Sequence, residues 1–135
     1  LPVKSKKTNV TNKFFNYLNL KDVDANYIVQ KREGKGIWEN LYEFPLMETD
    51  ELVSELDFMN QLTEIYFFNQ KPTEFFVLNS QIIQHKLSHQ NLYIRFFQLN
   101  FDVKLPDSKT LTEIKKLPFP IVIHNFMASN YFNSL

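Results

Sequence analysis

Two histidines in this sequence have a spacing that could bind a metal ion. His85 and His89 lie four residues apart, the spacing at which two imidazoles on one helix can chelate zinc. The residues around them favour a β-strand, in which about 3.3 Å per residue would hold the two side chains about 13 Å apart, so we expect no shared metal. His124 has no second histidine or carboxylate near it in sequence, and we expect it in the core or at its rim.

The other candidate functional residues also lack the spacing of a phosphate-binding or catalytic site. The two glycines, Gly34 and Gly36, are too few for a dinucleotide fingerprint and are wrongly followed for a phosphate-binding loop. Glu39 and Glu43 lie four residues apart beside aromatic residues, and we expect a structural hydrogen-bonding role from them. Trp38 could stack on a base, but in a chain this rich in phenylalanine we expect it to pack in the core.

The composition indicates a single domain with its own core. The chain has 135 residues, of which 44% are hydrophobic. The lack of cysteine excludes thiol nucleophiles, iron–sulfur ligation and cysteine zinc sites, and it is compatible with a reducing compartment. No apolar run approaches the length that spans a bilayer, so we expect a cytoplasmic protein without membrane contact.

The charges are unevenly distributed, although they sum to zero. A neutral total argues against a free-standing, strongly electrostatic nucleic-acid binder. Lys4, Lys6, Lys7 and Lys13 occupy an N-terminal stretch without acids, whereas residues 39–64 contain eight acids and no Lys or Arg. One end of the protein could therefore approach phosphate while another face repels it. From charge alone, a solvated tail and an acidic surface helix are the favoured interpretation.

Strands must position most of these side chains. Runs of β-branched and aromatic residues predict extended segments at residues 11–20, 26–32, 41–44, 75–86 and 92–101. The last two are long and are separated by a short polar break at residues 88–91, which predicts a hairpin. Its tip should be exposed to solvent.

Helices are expected to flank this sheet. Thr49 is a plausible N-cap, and an apolar stripe that should pack inward follows it at Leu52, Leu56, Met59 and Leu62. Pro120 suits the first turn of a terminal helix. The pattern predicts an α+β fold, with a mixed or antiparallel sheet and flanking helices in a single domain.

The segment at residues 36–45, which reads Gly-Ile-Trp-Glu-Asn-Leu-Tyr-Glu-Phe-Pro, resembles a strand of the Nudix hydrolases. In that family the strand leads into a glycine turn and a glutamate-rich helix that holds magnesium. Here Leu-Met-Glu-Thr follows the proline, and Ser-Glu-Leu-Asp-Phe at residues 54–58 stands where the family has Arg-Glu-x-x-Glu-Glu. The resemblance therefore implies a Nudix-like scaffold without the hydrolase motif.

Three segments together resemble the C-terminal domain of the MutY family of adenine DNA glycosylases: residues 2–7, 30–45 and 85–89. The resemblance implies that residues 1–8 are an interdomain linker remnant and that residues 9–135 are a Nudix-like lesion-recognition domain. Such a domain recognises 8-oxoguanine opposite adenine in base excision repair, in the cytoplasm of a bacterium. It is not itself an enzyme and holds no metal or cofactor. Its partners would be double-stranded DNA with an 8-oxoguanine:adenine pair and the N-terminal catalytic domain of the same parent, which would carry an iron–sulfur cluster.

The hairpin carries the most informative motif of this resemblance, usually Phe-Ser-His in the family. Ser88 and His89 match it, and Leu87 stands in place of the phenylalanine. Guanine presents an acceptor at N7, whereas 8-oxoguanine presents an N7–H donor and an added O8 acceptor. The Ser88 hydroxyl could accept the first and donate to the second. Leu87 would supply apolar contact, and His89 would contact the DNA backbone or brace the loop.

Further DNA-backbone contacts are expected beside the hairpin, because residues 81–100 contain two basic residues and no acid. The expected contacts are Lys86, Gln90 and Arg95, together with Lys4, Lys6 and Lys7 of the linker.

Two other functions remain open at this stage. A divergent Nudix pyrophosphohydrolase would need a carboxylate cluster for magnesium, which Glu48, Glu51 and Glu55 could supply on the helix. A protein-interaction module would instead present the acidic residues 48–57 to a partner.

Overall fold

Seven strands and three short helices form in the part of the chain that the structure describes. The structure is a computed structural model, and it describes residues 10–79, 81–129 and 132. The strands are β1 (Thr11–Lys21), β2 (Gln30–Lys31), β3 (Tyr42–Glu43), β4 (Leu46–Thr49), β5 (Glu74–Val77), β6 (Ile83–Lys86) and β7 (Gln90–Asn100), and the helices are α1 (Glu55–Leu62), α2 (Leu111–Ile114) and α3 (Ile121–Met127).

The main sheet is built around β1 and β7, which run parallel from the Thr11–Gln90 pair to the Lys21–Asn100 pair. Strand β4 pairs antiparallel with the outer edge of β1, and β5 and β6 both pair antiparallel with β7. A separate two-stranded sheet joins β2 and β3. The α+β prediction with a mixed sheet is confirmed. No helix in the described part of the chain has the length and apolarity to span a lipid bilayer.

The two central strands are buried on both faces of the sheet. On one face Phe96 stacks on Phe126 of α3, with 3.7 Å between the ring centroids. On the other face Phe97 meets Phe58 of α1 at 4.7 Å. Neighbouring residues of β7 thus enter two different apolar clusters. This explains why apolar residues occupy adjacent positions in the strand, such as Tyr93–Ile94 and Phe96–Phe97, instead of alternating regularly with polar residues.

The first helix begins five residues later than Thr49 predicts. Ser54 is the N-cap, and its hydroxyl accepts a hydrogen bond from the Asp57 amide at 3.1 Å. Thr49 instead ends β4, opposite Phe14 of β1. The predicted inward stripe is wrong in its first half, because Leu52 and Leu56 are 53% and 69% exposed. Phe58 and Leu62 are the residues of α1 that are buried.

Two predicted strands are shorter or broken in the structure. Within residues 26–32 only Gln30 and Lys31 form a strand, while Tyr27 makes isolated bridges. The run at residues 75–86 is interrupted by Asn79, whose side chain is 1% exposed. Its Oδ1 accepts from the Phe96 amide at 2.7 Å and its Nδ2 donates to the Ile94 carbonyl at 3.1 Å. The side chain thereby replaces backbone bonds that a continuous strand would supply. The predicted terminal helix is present, but it begins at Ile121, so Pro120 is its N-cap and not a residue of its first turn.

Candidate nucleic-acid interface

The hairpin between β6 and β7 ends in a short turn that exposes two of the predicted site residues. Lys86 pairs with Asn91 at the end of the ladder, and the Leu87 amide donates to the Gln90 carbonyl at 2.8 Å. Ser88 and His89 lie between them and are exposed, which confirms the prediction of an exposed tip. The His89 carbonyl accepts from the Thr11 amide at 3.0 Å, so the turn is tied to the start of β1.

A shallow depression lies beside Ser88. It has a volume of about 250 Å³ and is lined by Ile37, Leu87, Ser88, His89 and Gln90. Clefts that enclose small-molecule ligands are larger, roughly 300–1,000 Å³. A surface feature of this size suits contact with one edge of a ligand, such as a base that remains stacked in a duplex. Leu87, one of the lining residues, is half-buried and packs against the core.

The loop before β3 forms the other wall of this depression. Its backbone is held in unusual conformations, because Gly34, Gly36, Trp38 and Asn40 all have positive φ angles, of 85°, 139°, 60° and 68°. Such angles are rare for a side chain as bulky as tryptophan. The Trp38 ring packs on the core at Phe15, as predicted, with 6.1 Å between centroids, and it contacts the His85 ring at 5.9 Å.

A buried carboxylate anchors this loop to the sheet. Glu43 is 3% exposed, and it accepts hydrogen bonds from the Tyr17 hydroxyl at 3.1 Å, Gln30 Nε2 at 3.1 Å and Arg32 Nη1 at 2.9 Å. This confirms the structural role expected for Glu43. Burial and the Glu43 charge raise the pKa of Tyr17, which keeps its hydroxyl protonated as a donor. Arg32 also donates from Nε to the Ile37 carbonyl at 3.2 Å. Glu39, by contrast, is exposed and is not part of this network.

The residues expected to contact the DNA backbone differ in their exposure to solvent. Lys86 is exposed at the base of the turn, and Gln90 is half-buried in the depression. Arg95 is 5% exposed, and its guanidinium donates to the Val53 carbonyl and, at 3.4 Å, to Asn16 Oδ1. Desolvation by burial lowers the pKa of Arg95. The expectation of a DNA contact for Arg95 is therefore corrected, because its charged group faces the protein interior.

The N-terminal lysines and the remaining histidines complete the set of candidate residues. Lys4, Lys6, Lys7 and the linker predicted at residues 1–8 lie outside the part of the chain that the structure describes. His85 is half-buried in β6, and His124 is exposed on α3.

The carboxylates that a pyrophosphohydrolase would need for magnesium do not lie together on one helix. Glu48 lies in β4 and pairs with Lys13 at 3.5 Å, whereas Glu55 is the first residue of α1. Across residues 10–79, 81–129 and 132, no group of three His, Cys, Asp or Glu side chains is placed to hold a metal ion.

The ion pair between Arg32 and Glu43 is the part of this region that the sequence did not predict. Glu43 was expected to form hydrogen bonds, but its partners come from β1, β2 and the following loop, which are distant in sequence. An acid in an otherwise apolar strand segment was the available signal for a buried carboxylate. Nothing local marked Arg32 as its partner.

Comparison with known proteins agrees with this architecture. The sequence model of the NUDIX domain matches residues 16–129. The chain therefore belongs to the NUDIX domain family, and the Nudix-like scaffold expected from the sequence is confirmed. No curated protein matches the chain.

Two solved structures are similar in fold. The MutT protein from Methanosarcina mazei Go1 has 12% identity and a TM-score of 0.59, with 88% of this chain and 92% of that chain covered. The C-terminal domain of mouse MUTYH, solved in complex with human PCNA, has 14% identity and a TM-score of 0.62, with 84% and 83% covered. At these identities the similarity concerns the fold.

Proposed function

We propose that this domain is the non-catalytic C-terminal domain of an A/G-specific adenine DNA glycosylase and that it recognises 8-oxoguanine opposite adenine in base excision repair. The observation that carries the proposal is the exposed residue Ser88, which lines a small depression at the hairpin tip. The similarity in fold to the C-terminal domain of mouse MUTYH supports it. The lack of cysteine in the 135 residues is compatible with action in a reducing cytoplasm.

The chemistry of the proposed contact depends on one group that both donates and accepts. The Ser88 hydroxyl would accept the N7–H of 8-oxoguanine and donate its own proton to O8. Guanine offers only an acceptor at N7 and has no O8, so it cannot satisfy both bonds. A matched polar contact of this kind contributes about 1–3 kcal/mol of discrimination. Leu87 and Ile37 would provide apolar contact beside the base edge.

The charges near the turn favour a duplex partner without making the domain a strong binder. Lys86 is exposed beside Ser88, and residues 81–100 contain no acid. Few phosphate contacts release few counterions, so the domain alone should bind DNA weakly. Most of the affinity would come from the N-terminal catalytic domain of the parent, which would excise the adenine and carry the iron–sulfur cluster.

The test is substitution of Ser88 in the full-length parent protein. Ser88→Ala should lower the preference for adenine opposite 8-oxoguanine over adenine opposite guanine by roughly 5- to 150-fold, which corresponds to the 1–3 kcal/mol of one matched contact. Single-turnover excision on the guanine duplex should be unchanged. Ser88→Thr, which keeps a hydroxyl, and Thr112→Ala, which removes an exposed hydroxyl from α2, are the matched controls. Equal losses on both duplexes would contradict the proposal.

We expect that this domain does not hydrolyse nucleotides, and a direct assay tests this expectation. The domain would be incubated with 8-oxo-dGTP and magnesium. Robust turnover that is lost in Glu51→Ala or Glu55→Ala would contradict it and favour the pyrophosphohydrolase alternative.

One observation favours a second, compatible role as a protein-interaction module. Leu52 and Leu56 are exposed among the acids of residues 48–57, and the C-terminal domain of mouse MUTYH was solved with a protein partner. If this surface binds a protein, Leu56→Ser should weaken that complex and leave the Ser88-dependent preference unchanged. A complex that tolerates Leu56→Ser would contradict this role.

A further inference from the structure

We propose that Arg32 is a positioning residue for the Ser88 turn. By joining the buried Glu43 carboxylate to the Ile37 carbonyl, it fixes the loop of residues 36–40, which lines the same depression as the turn of residues 87–90. We call these two segments the buttress loop and the reading turn. The inference rests on the proposed function, because it concerns how accurately the Ser88 hydroxyl is held.

The Arg32 side chain is itself firmly anchored. Its ion pair with Glu43 is 2.9 Å long, and the two side chains are 22% and 5% exposed. The guanidinium lies 5.8 Å from the centre of the Phe15 ring, the ring on which Trp38 also packs. A guanidinium has a planar fork of donors, so one side chain can bind the carboxylate and a backbone carbonyl in fixed directions. A lysine ammonium keeps the charge but lacks this fork.

The backbone of Arg32 closes the same loop from its other side. Its amide donates to the Leu41 carbonyl at 2.8 Å, and its carbonyl accepts from the Asn40 amide at 2.9 Å. Within the loop, Trp38 and Asn40 have φ angles of 60° and 68°. Residues in such conformations persist only where the surroundings hold them. The side-chain bond from Arg32 to Ile37 supplies that restraint at the centre of the buttress loop.

The buttress loop meets the reading turn at the depression, and it also contacts the strand that leads into the turn. The Ile37 side chain lines the depression together with Leu87 and Ser88. The Trp38 ring contacts His85, which lies on β6 three residues before Ser88. If the Arg32 fork is lost, the loop can relax and both supports of the turn move. A recognition site must hold its groups within about 0.5 Å, so discrimination between two bases should suffer before general DNA binding does.

The test compares two substitutions that act on the same carboxylate. Arg32→Lys removes the fork and the bond to Ile37, whereas Tyr17→Phe removes another donor of Glu43 and leaves the buttress loop untouched. In the full-length parent, Arg32→Lys should lower the preference for the 8-oxoguanine duplex by at least about fivefold, the low end of one matched polar contact. Tyr17→Phe should preserve the preference. Amide hydrogen exchange should accelerate in both segments in Arg32→Lys only.

The outcomes separate this inference from the function on which it rests. If Ser88→Ala lowers the preference and Arg32→Lys leaves it at the wild-type value, the positioning role is overturned and the proposed function stands. Exchange that accelerates in residues 36–40 but not in residues 87–90 would also overturn it. An equal fall in preference in Arg32→Lys and Tyr17→Phe would mean that lost stability causes the effect, and it would overturn the positioning role. A Ser88→Ala protein with the wild-type preference would overturn both proposals.

Discussion

Removal of the Tyr17 hydroxyl tests the strength of the buried hydrogen-bond network around Glu43. The Tyr17 ring is 0% exposed and stacks on Phe96 at 5.3 Å, and phenylalanine would keep this packing. Tyr17→Phe therefore removes little more than the 3.1 Å hydrogen bond to Glu43. A bond to a charged acceptor contributes about 1.5–3 kcal/mol to stability. Because Glu43 keeps Gln30 and Arg32 as donors, we expect a loss at the lower end, about 1.5–2 kcal/mol.

Urea unfolding of the chain measures this loss. Trp38 is the single tryptophan of the 135 residues, so its fluorescence follows the transition. With a slope of about 2 kcal/mol per molar urea, the midpoint should fall by roughly 0.8–1 M. A double-mutant cycle with Glu43→Gln isolates the interaction, and we expect a coupling energy of about 1 kcal/mol. A loss below about 0.5 kcal/mol, or additive effects in the cycle, would refute the reasoning, because surface changes produce losses of that size.

Two further predictions concern the scaffold. Burial opposes ionisation of Asp22, but hydrogen bonds from Ser108 and from backbone amides outweigh it and lower the pKa of the carboxyl. Asp22→Asn should therefore cost about 2 kcal/mol at neutral pH. This difference is complete above the unfolded-state pKa of about 3.9 and is lost as pH falls through the lowered native pKa, and a constant difference in acid urea titrations would contradict it. Phe58→Ala should lower the unfolding free energy by about 3–5 kcal/mol. Leu56→Ala should change it by less than about 0.5 kcal/mol, and similar losses for both would contradict the helix orientation.

Local signals explain which parts of the fold could be predicted from the sequence. The strand at residues 11–20, the exposed hairpin tip and the helix after Pro120 follow from short patterns of apolar, polar and proline residues. The helix start was misplaced because Thr49 and Ser54 are both capping residues followed by acids, and the pairing of Thr49 with Phe14 decides between them. That pairing joins residues far apart in sequence.

Long-range contacts explain the rest of the candidate site. The exposure of Ser88 and His89 follows from the hairpin, but the wall formed by Ile37 comes from a segment about fifty residues earlier. Arg95 has no acid near it in sequence, and the Val53 carbonyl that accepts its hydrogen bond is brought there by the loop before α1. An arginine in the middle of an apolar strand is therefore a weak guide to a surface contact.

Equilibrium binding by the full-length parent tests the Ser88 contact most directly. Four affinities are needed, for wild type and Ser88→Ala with duplexes that carry 8-oxoguanine or guanine opposite a non-hydrolysable adenine analogue. If the Ser88 hydroxyl reads the lesion, the substitution should weaken binding to the 8-oxoguanine duplex only, with a coupling energy of about 1–3 kcal/mol. Equal weakening on both duplexes, or no weakening on either, would contradict lesion reading by this turn.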